Sequence, residues 1–230
     1  MDLGPFQVEL KHRTFDFVMK KLVLLLFLLP LIAQAQLFKG GIVAGANFSQ
    51  VEGDDVSGYK HLGYNVGFMV DTYIKEKMSI TFEILYTIKG SDTGSKFTLD
   101  GRLFRNTFRY VEVPVLYRYH DDGGMSFGAG LSFSNLISAT HYEDGLETEG
   151  YFDSVAPLFS PAPRKMDYGF VVDFSYRFSP QFWISARGTV STLTFYDRFS
   201  FNRGFPVGWR NNAIYLRSVF VFNALGKKRK

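Results

Sequence analysis

The stretch MSITFEILYTI, residues 78–88, alternates apolar with mostly polar side chains along its whole length. Because successive side chains of a strand point to opposite faces, one face of this stretch is apolar and the other is mostly polar. The stretch has 11 residues, close to what a tilted transmembrane β-strand needs, whereas soluble strands average roughly five or six. It therefore predicts a strand that turns its apolar face to lipid and its polar face to the interior of a closed barrel.

Seven other segments show a similar alternation. The connections alternate between long and short, as in an up-and-down outer-membrane barrel with short periplasmic turns and long external loops. An even number of strands also closes the sheet without free edges, which a lipid environment requires. The predicted fold is all-β, an eight-stranded antiparallel up-and-down transmembrane β-barrel. Its predicted strands are about Lys39–Ser49, Leu62–Ile74, Met78–Lys89, Phe108–Tyr119, Met125–Ile137, Asp167–Phe178, Phe182–Leu193 and Ala213–Phe222.

Tyrosine and phenylalanine residues gather near both ends of the predicted strands. Amphipathic rings favour the headgroup region of a bilayer, so two aromatic girdles are expected. The girdle near the short turns comprises Tyr73, Tyr117, Tyr119, Tyr176, Phe178 and Phe182, and the girdle near the long loops comprises Tyr64, Tyr86, Phe108, Phe133 and Tyr168.

The N-terminus has the features of a secretory signal peptide. Met19-Lys20-Lys21 is a charged start, residues 22–32 are an apolar core, and Ala33-Gln34-Ala35 offers small residues where signal peptidase cleaves. This pattern predicts cleavage after Ala35 and location in the outer membrane of a Gram-negative bacterium. Two interpretations of residues 1–18 stay open, namely that translation starts at Met19 or that the signal peptide has a long charged beginning.

Composition limits the classes of partner. The chain is predicted to divide into an N-terminal extension with signal peptide at residues 1–35, a barrel at 36–226 and a basic tail at 227–230. The four basic residues of the tail alone account for the formal net charge of +4. The barrel is thus nearly neutral and offers no basic footprint for nucleic acid. The absence of cysteine excludes disulfides and thiolate metal sites.

The run YVEVPVLYRY, residues 110–119, resembles the PorT-like outer-membrane β-barrel family, which has an aromatic-aliphatic-Glu-aliphatic-Pro run entering its fourth strand. Residues 41–49, 82–90 and 128–130 are similar to the first, third and fifth strands of that family. The resemblance covers about residues 37–222. It implies an eight-stranded outer-membrane barrel and, as for some relatives, a link to type IX protein secretion.

Pro114 interrupts the run that resembles this family. Proline cannot donate a ladder hydrogen bond, so it is costly inside a strand. We expect a β-bulge at Pro114 that re-aims Glu112, and the alternative is a local defect in an otherwise regular ladder.

Charged residues occupy many inward-facing positions of the predicted strands. Eight strands enclose a lumen just wide enough for side chains, and an unpaired buried ion costs several kcal/mol. We therefore predict that Glu83 and Glu112 pair with lumen arginines, in the first place Arg187 and Arg217. A polar plug of the lumen is predicted, with a small gated transport conduit as the alternative. The predicted polar network comprises Glu83, Glu112, Arg118, Asp173, Arg177, Arg187 and Arg217.

Three arginines, Arg198, Arg203 and Arg210, lie on the last long loop of the predicted barrel. Guanidinium forks suit phosphate groups, so contact with lipopolysaccharide is one interpretation of this loop. Plain solvation of the three side chains is the other interpretation.

No motif for a cofactor or a metal is evident in the sequence. A rim site made of His61 with Asp54 or Asp55 and Ser57 is the one candidate for catalysis, and its spacing is generic. The predicted function is therefore a non-enzymatic, structural or accessory outer-membrane barrel, and an outer-membrane enzyme is the least favoured reading. Its expected partners are outer-membrane lipid and envelope or secretion-system proteins, and no cofactor is expected.

Overall fold

The computed structural model describes residues 38–54, 56–94, 103–148, 164–194, 196–200 and 205–222. The predicted signal peptide, the basic tail and Arg203 lie outside these residues. No helix in the described ranges is long and apolar enough to span a membrane.

The alternation of apolar and polar residues gives ten β-strands in the described part of the chain. They are β1 (Phe38–Glu52), β2 (His61–Lys75), β3 (Met78–Asp92), β4 (Phe104–His120), β5 (Met125–Glu143), β6 (Leu146–Glu147), β7 (Met166–Arg177), β8 (Phe182–Ser191), β9 (Tyr196–Ser200) and β10 (Phe205–Val221).

The eight long strands close into an antiparallel barrel within the described ranges. Their order is β1-β2-β3-β4-β5-β7-β8-β10, and β10 pairs back to β1 from Gly41 opposite Val221 to Glu52 opposite Arg210. The short strands β6 and β9 only extend the edges of β5 and β10. The predicted fold class is confirmed, and closure pairs the strand edges that lipid would otherwise leave unsatisfied.

Short turns join β2 to β3, β4 to β5 and β7 to β8 at one end of the barrel, here called the short-turn end. In the second of these turns the Gly123 amide donates to the Asp121 carboxylate at 2.9 Å, and Gly124 has a φ of 88° that favours glycine. Both ends of the barrel sequence meet here, because the Phe222 amide donates to the Gly40 carbonyl at 2.9 Å. The opposite end, which carries the long connections, is called the long-loop end.

Large apolar side chains project outward from each of the eight long strands of the described barrel. Leu62, Phe68, Ile84, Phe170 and Leu216 are each 61–66% exposed. Apolar surface on this scale is unusual for a soluble protein and marks a surface that meets lipid or a partner. The outward faces are those that the sequence alternation predicts.

Exposed aromatic rings lie at both ends of the outer wall. At the short-turn end Tyr176 and Phe178 pack edge to face at 4.8 Å, and near the long loops Phe133 and Tyr168 do so at 5.8 Å. Two residues predicted for these girdles are placed elsewhere. Phe108 points inward and is fully buried, and Tyr73 lines a pocket at the short-turn end.

The expected bulge at Pro114 is wrong. The register between β3 and β4 is the same on both sides of Pro114, with Phe82 opposite Val115 and Leu85 opposite Glu112. Only the pairings of Val113 and Pro114 with β3 are missing, while both residues pair with β5. The missing proline N–H therefore leaves a gap in one ladder without shifting the strand.

Two register shifts occur elsewhere in the described sheet. Between β2 and β3 the shift lies between Tyr73 and Lys75. Between β4 and β5 it lies where Arg109 pairs with Ser138 and Tyr110 with Leu136, which makes Ile137 the extra residue. An extra residue reverses the faces of the residues that follow, so inward positions in β5 are even-numbered before Ile137 and odd-numbered after it.

We predict that Gly130→Ala destabilises the barrel by about 1–3 kcal/mol, because a Cβ there would overlap the Val115 carbonyl of the neighbouring strand. Gly188→Ala is the matched control, since no heavy atom lies within 4 Å of its added Cβ. That control should be neutral or slightly stabilising, because glycine weakens a strand interior. Urea unfolding in lipid vesicles measures both, and equal effects would contradict the steric account.

Candidate functional site

Five charged side chains from five strands meet inside the barrel in what we call the central cluster. It consists of Glu83 on β3, Arg118 on β4, Asp173 on β7, Arg187 on β8 and Arg217 on β10, each at most 2% exposed. The period-two alternation turns each of them inward from its strand. The sequence analysis named all five as lumen residues.

Glu83 is the hub of the central cluster on β3. Its carboxylate accepts a bidentate pair of hydrogen bonds from Arg187, at 2.8 and 2.7 Å, and one from Arg217 at 2.9 Å. Bidentate guanidinium–carboxylate pairs are among the strongest hydrogen-bonded ion pairs in proteins. Glu83 thus pairs with both arginines that the sequence analysis put forward for it.

Asp173 joins all three arginines from the other side of the cluster. Its Oδ2 accepts hydrogen bonds from Arg187 Nε at 2.9 Å and Arg217 Nη2 at 2.6 Å, and its Oδ1 lies 3.0 Å from Arg118 Nη2. Ser185 adds a hydroxyl donor at 2.8 Å. Three guanidinium groups therefore share two carboxylates, which links β3, β4, β7, β8 and β10 across the lumen.

Glycines make room for the long arginine side chains. Gly128 lies directly opposite Arg118 in the ladder, and Gly45 lies opposite Arg217. A Cβ at either glycine would come within 3.0 Å of the facing arginine's Cγ. Gly45 of β1 and Gly128 of β5 are thus explained by the arginines that they face.

Glu112 pairs with Lys89, not with an arginine as predicted. Lys89 Nζ lies 3.0 Å from Glu112 Oε2, Ser132 donates to Glu112 Oε1 at 2.7 Å, and both ions are at most 4% exposed. The arginines of the central cluster are bound to Glu83 and Asp173, so the lysine neutralises Glu112. The sequence analysis omitted Lys89, although the inward alternation that passes through Glu83 reaches it.

Two apolar clusters fill the lumen beside the ions. One consists of Val43, Met69, Leu85, Trp183, Val219 and Val221, and the other of Val51, Phe108, Tyr110 and Trp209. Along β10 the order is Val221 and Val219 near the short turns, then Arg217, and finally Trp209 near the long loops. The central cluster thus lies between two apolar layers on this strand.

Arg177 does not belong to the central cluster, contrary to prediction. It is exposed at the end of β7, where it lines a pocket of about 550 Å³ at the short-turn end. We call this the mouth pocket, and it is lined by Lys39, Tyr73, Glu76, Lys77, His120, Asp121, Asp122 and Arg177. Lys77 is in the β2–β3 turn, and its 2.6 Å hydrogen bond to Asp122 raises the pKa of its ammonium group.

The candidate catalytic site at His61 does not assemble in the described residues. The two ring nitrogens of His61 lie 3.3 Å from the Ser49 hydroxyl and 3.2 Å from the Thr107 hydroxyl. Asp54 accepts a hydrogen bond from the Val56 amide instead, at 3.0 Å, Ser57 is exposed, and Asp55 lies outside the described residues. The spacing in the sequence did not reveal that β1 and β4 would supply the partners of His61.

The three arginines considered for lipopolysaccharide contact are only partly described. Arg198 lies on β9, where the backbone alone is described, and Arg210 is exposed on β10 opposite Glu52. Within the described ranges, no group of three His, Asp or Glu side chains could hold a metal ion.

The sequence profile of one protein family, described as outer membrane protein beta-barrel domain, matches residues 33–192 of the 230. The chain belongs to this family. No curated protein sequence matches the chain.

Several solved outer-membrane barrels are similar in fold to this family member. Ail of Yersinia pestis is 13% identical, with a TM-score of 0.46, over 80% of this chain and 98% of its own. Neisserial surface protein A is 14% identical, with a TM-score of 0.49, over 80% of this chain and 97% of its own. The barrel domain of Pseudomonas aeruginosa OprF is 10% identical, with a TM-score of 0.33, over 79% and 97%. Likenesses this low carry no statement about activity.

As an outer-membrane β-barrel protein, the chain combines a wall that meets lipid with a lumen filled by mutually paired ions. The carboxylates and guanidinium groups of the central cluster are bound to one another and are inaccessible to solvent. Such groups hold strands in position, whereas the mouth pocket presents charged groups that solutes can reach.

We predict that Glu83→Gln destabilises the barrel by about 3–5 kcal/mol, because it leaves three buried guanidinium groups with one carboxylate. Arg105→Gln is the control, since the Arg105 side chain is 60% exposed in its pair with Asp92, and ion pairs at the surface contribute about 0–1 kcal/mol. Unfolding in lipid vesicles at several urea concentrations gives both values. The double variant Glu83→Gln/Arg217→Gln should lose less than the sum of its single variants, and strict additivity would contradict the pairing.

Proposed function

We propose that the protein is a sealed, non-enzymatic outer-membrane barrel with a structural or accessory role, whose loops and short-turn face meet other envelope components. The observation that carries this proposal is the central cluster, in which Glu83 and Asp173 hold Arg118, Arg187 and Arg217 across the lumen. A barrel of eight strands has little interior space beyond that which its side chains fill.

A sealed lumen follows from the energy needed to open this cluster. A permeating ion would have to part Glu83 from Arg187 and Arg217, whose contacts are 2.7–2.9 Å long. Removing one partner from a buried ion pair costs about 3–5 kcal/mol, because the remaining charge is left uncompensated. The apolar clusters add a second barrier, since a hydrated ion loses its water shell beside Trp183 or Trp209.

The partners of the titratable groups support a role without catalysis. His61 lies between two hydroxyls, and His120 lies between Ser79 and Ser126 at 2.7 and 2.8 Å. His61 does not line the mouth pocket, and the two serines that contact His120 are buried and do not line it either. A general base acts on a nucleophile that a substrate can reach.

Recordings from purified protein in planar bilayers test the sealed lumen. We expect no steady conductance steps from the unaltered protein, since its ion network and apolar clusters fill the lumen. Glu83→Gln should raise the frequency of brief openings, because it weakens the network, whereas Arg105→Gln should not. Large, steady steps from the unaltered protein would contradict the plug and favour the conduit.

The proposal also includes a more specific assignment within the outer-membrane barrel family. We propose a PorT-like barrel that is exported through a signal peptide ending at Ala35 and that supports type IX secretion. The run at residues 110–119 supports this assignment. Comparing the secreted and surface proteomes of cells with and without the gene tests the secretion role, and unchanged cargo would argue against it.

Lipopolysaccharide contact by Arg198, Arg203 and Arg210 is likewise proposed. The exposure of Arg210 near the long-loop end supports it, because a guanidinium fork there is free to meet phosphate groups. We expect Arg210→Gln to weaken binding of purified lipopolysaccharide to the detergent-solubilised barrel by a few-fold, measured by surface plasmon resonance. Arg105→Gln is the charge-matched control, and an equal loss in both variants would point to non-specific attraction.

A further inference from the structure

Two cations of the mouth pocket, Lys39 and Arg177, have no ion-pair partner among the described residues. Within the described residues, no carboxylate oxygen lies within 4.0 Å of the Lys39 ammonium or the Arg177 guanidinium. Asp71 and, more weakly, Arg177 act electrostatically on Lys39. The two like charges of Lys39 and Arg177 repel each other, and an anion between them would relieve that repulsion.

Lys39 is held in position by an aromatic side chain. Its Nζ donates a hydrogen bond to the Tyr73 hydroxyl at 3.1 Å and lies 4.3 Å from the centre of the Tyr73 ring. The His120 ring stacks on Tyr73 at 4.9 Å, and two serine hydroxyls hold that imidazole. The ammonium group is therefore pre-positioned, and it has further N–H donors for a ligand.

The carboxylates near the pocket are mostly engaged elsewhere. Asp122 pairs with Lys77 at 2.6 Å, and Asp121 accepts a hydrogen bond from the Gly123 amide at 2.9 Å. The Asp71 carboxylate acts electrostatically on Lys39 from beyond ion-pair distance. It accepts a hydrogen bond from the Thr81 hydroxyl at 2.7 Å. Glu76 alone among the described lining acids stays exposed without such a contact.

We propose that the mouth pocket binds an oxyanion, a carboxylate or a phosphate group, between Lys39 and Arg177. The guanidinium fork of arginine matches the paired oxygens of either group, and lysine supplies a point charge beside it. The pocket volume of about 550 Å³ lies within the usual range for small-molecule sites, roughly 300–1,000 Å³. Because the His120 ring already stacks on Tyr73, and Tyr73 contacts Lys39, recognition rests on charge and not on stacking.

Titration of isotope-labelled barrel in detergent micelles tests the proposal by NMR. Sodium phosphate and sodium acetate are the two probes, at fixed pH and at constant ionic strength maintained with chloride. At least one probe should cause saturable shifts of backbone signals from Tyr73, His120, Gly124 and Arg177. Saturation by phosphate alone assigns a phosphate ligand, saturation by acetate alone assigns a carboxylate, and saturation by neither overturns the site.

Two substitutions locate the bound anion. Lys39→Gln and Arg177→Gln should each lower the affinity for the probe that saturates by about tenfold or more, as loss of a charge-assisted hydrogen bond predicts. Arg105→Gln removes a charge at the other end of the barrel and should leave the affinity unchanged. Dispersed spectra away from the pocket show that each variant is folded. Full affinity in both pocket variants, or an equal loss in Arg105→Gln, would overturn the proposal.

Discussion

Neutralisation of charge inside a narrow barrel is the constraint on which the rest of this structure depends. A carboxylate facing the lumen has little water to stabilise it, so its partner must come from another strand. Glu83 and Asp173 meet this requirement with the same three arginines, which ties five strands together. The closed ladder satisfies the backbone in the same way, because each strand edge finds its partner within the sheet.

The fold could be predicted because the same alternation of apolar and polar side chains runs through the lipid-facing part of every long strand. The strands were predicted too short where they extend beyond the lipid, because an apolar face is no longer required there. Strand β4 begins at Phe104 and not at Phe108, and β5 continues to Glu143 and not to Ile137. At Ile137 the extra residue also reverses the alternation, so the continuation of β5 does not share the pattern that leads up to it.

The site was predicted as far as side-chain direction alone determines it. The five members of the central cluster follow from alternation, and so does the inward position of Lys89. Which ion binds which depends on strand stagger and side-chain reach, and the sequence contains neither. The wrong prediction for Arg177 has a related cause. Alternation shows that its side chain is on the inward face, but it does not show that the residue lies beyond the end of the packed lumen.

The two ends of the barrel differ in what they offer to other molecules. Towards the long loops, Phe108 and Trp209 close the lumen with apolar packing, so contacts there involve loop surfaces. At the short-turn end the interior is open as far as His120, and charged groups line the opening. A small polar solute therefore meets a pocket of fixed charges at the short-turn end. Because the lumen beyond that pocket is filled, such a solute would bind there and would not pass through.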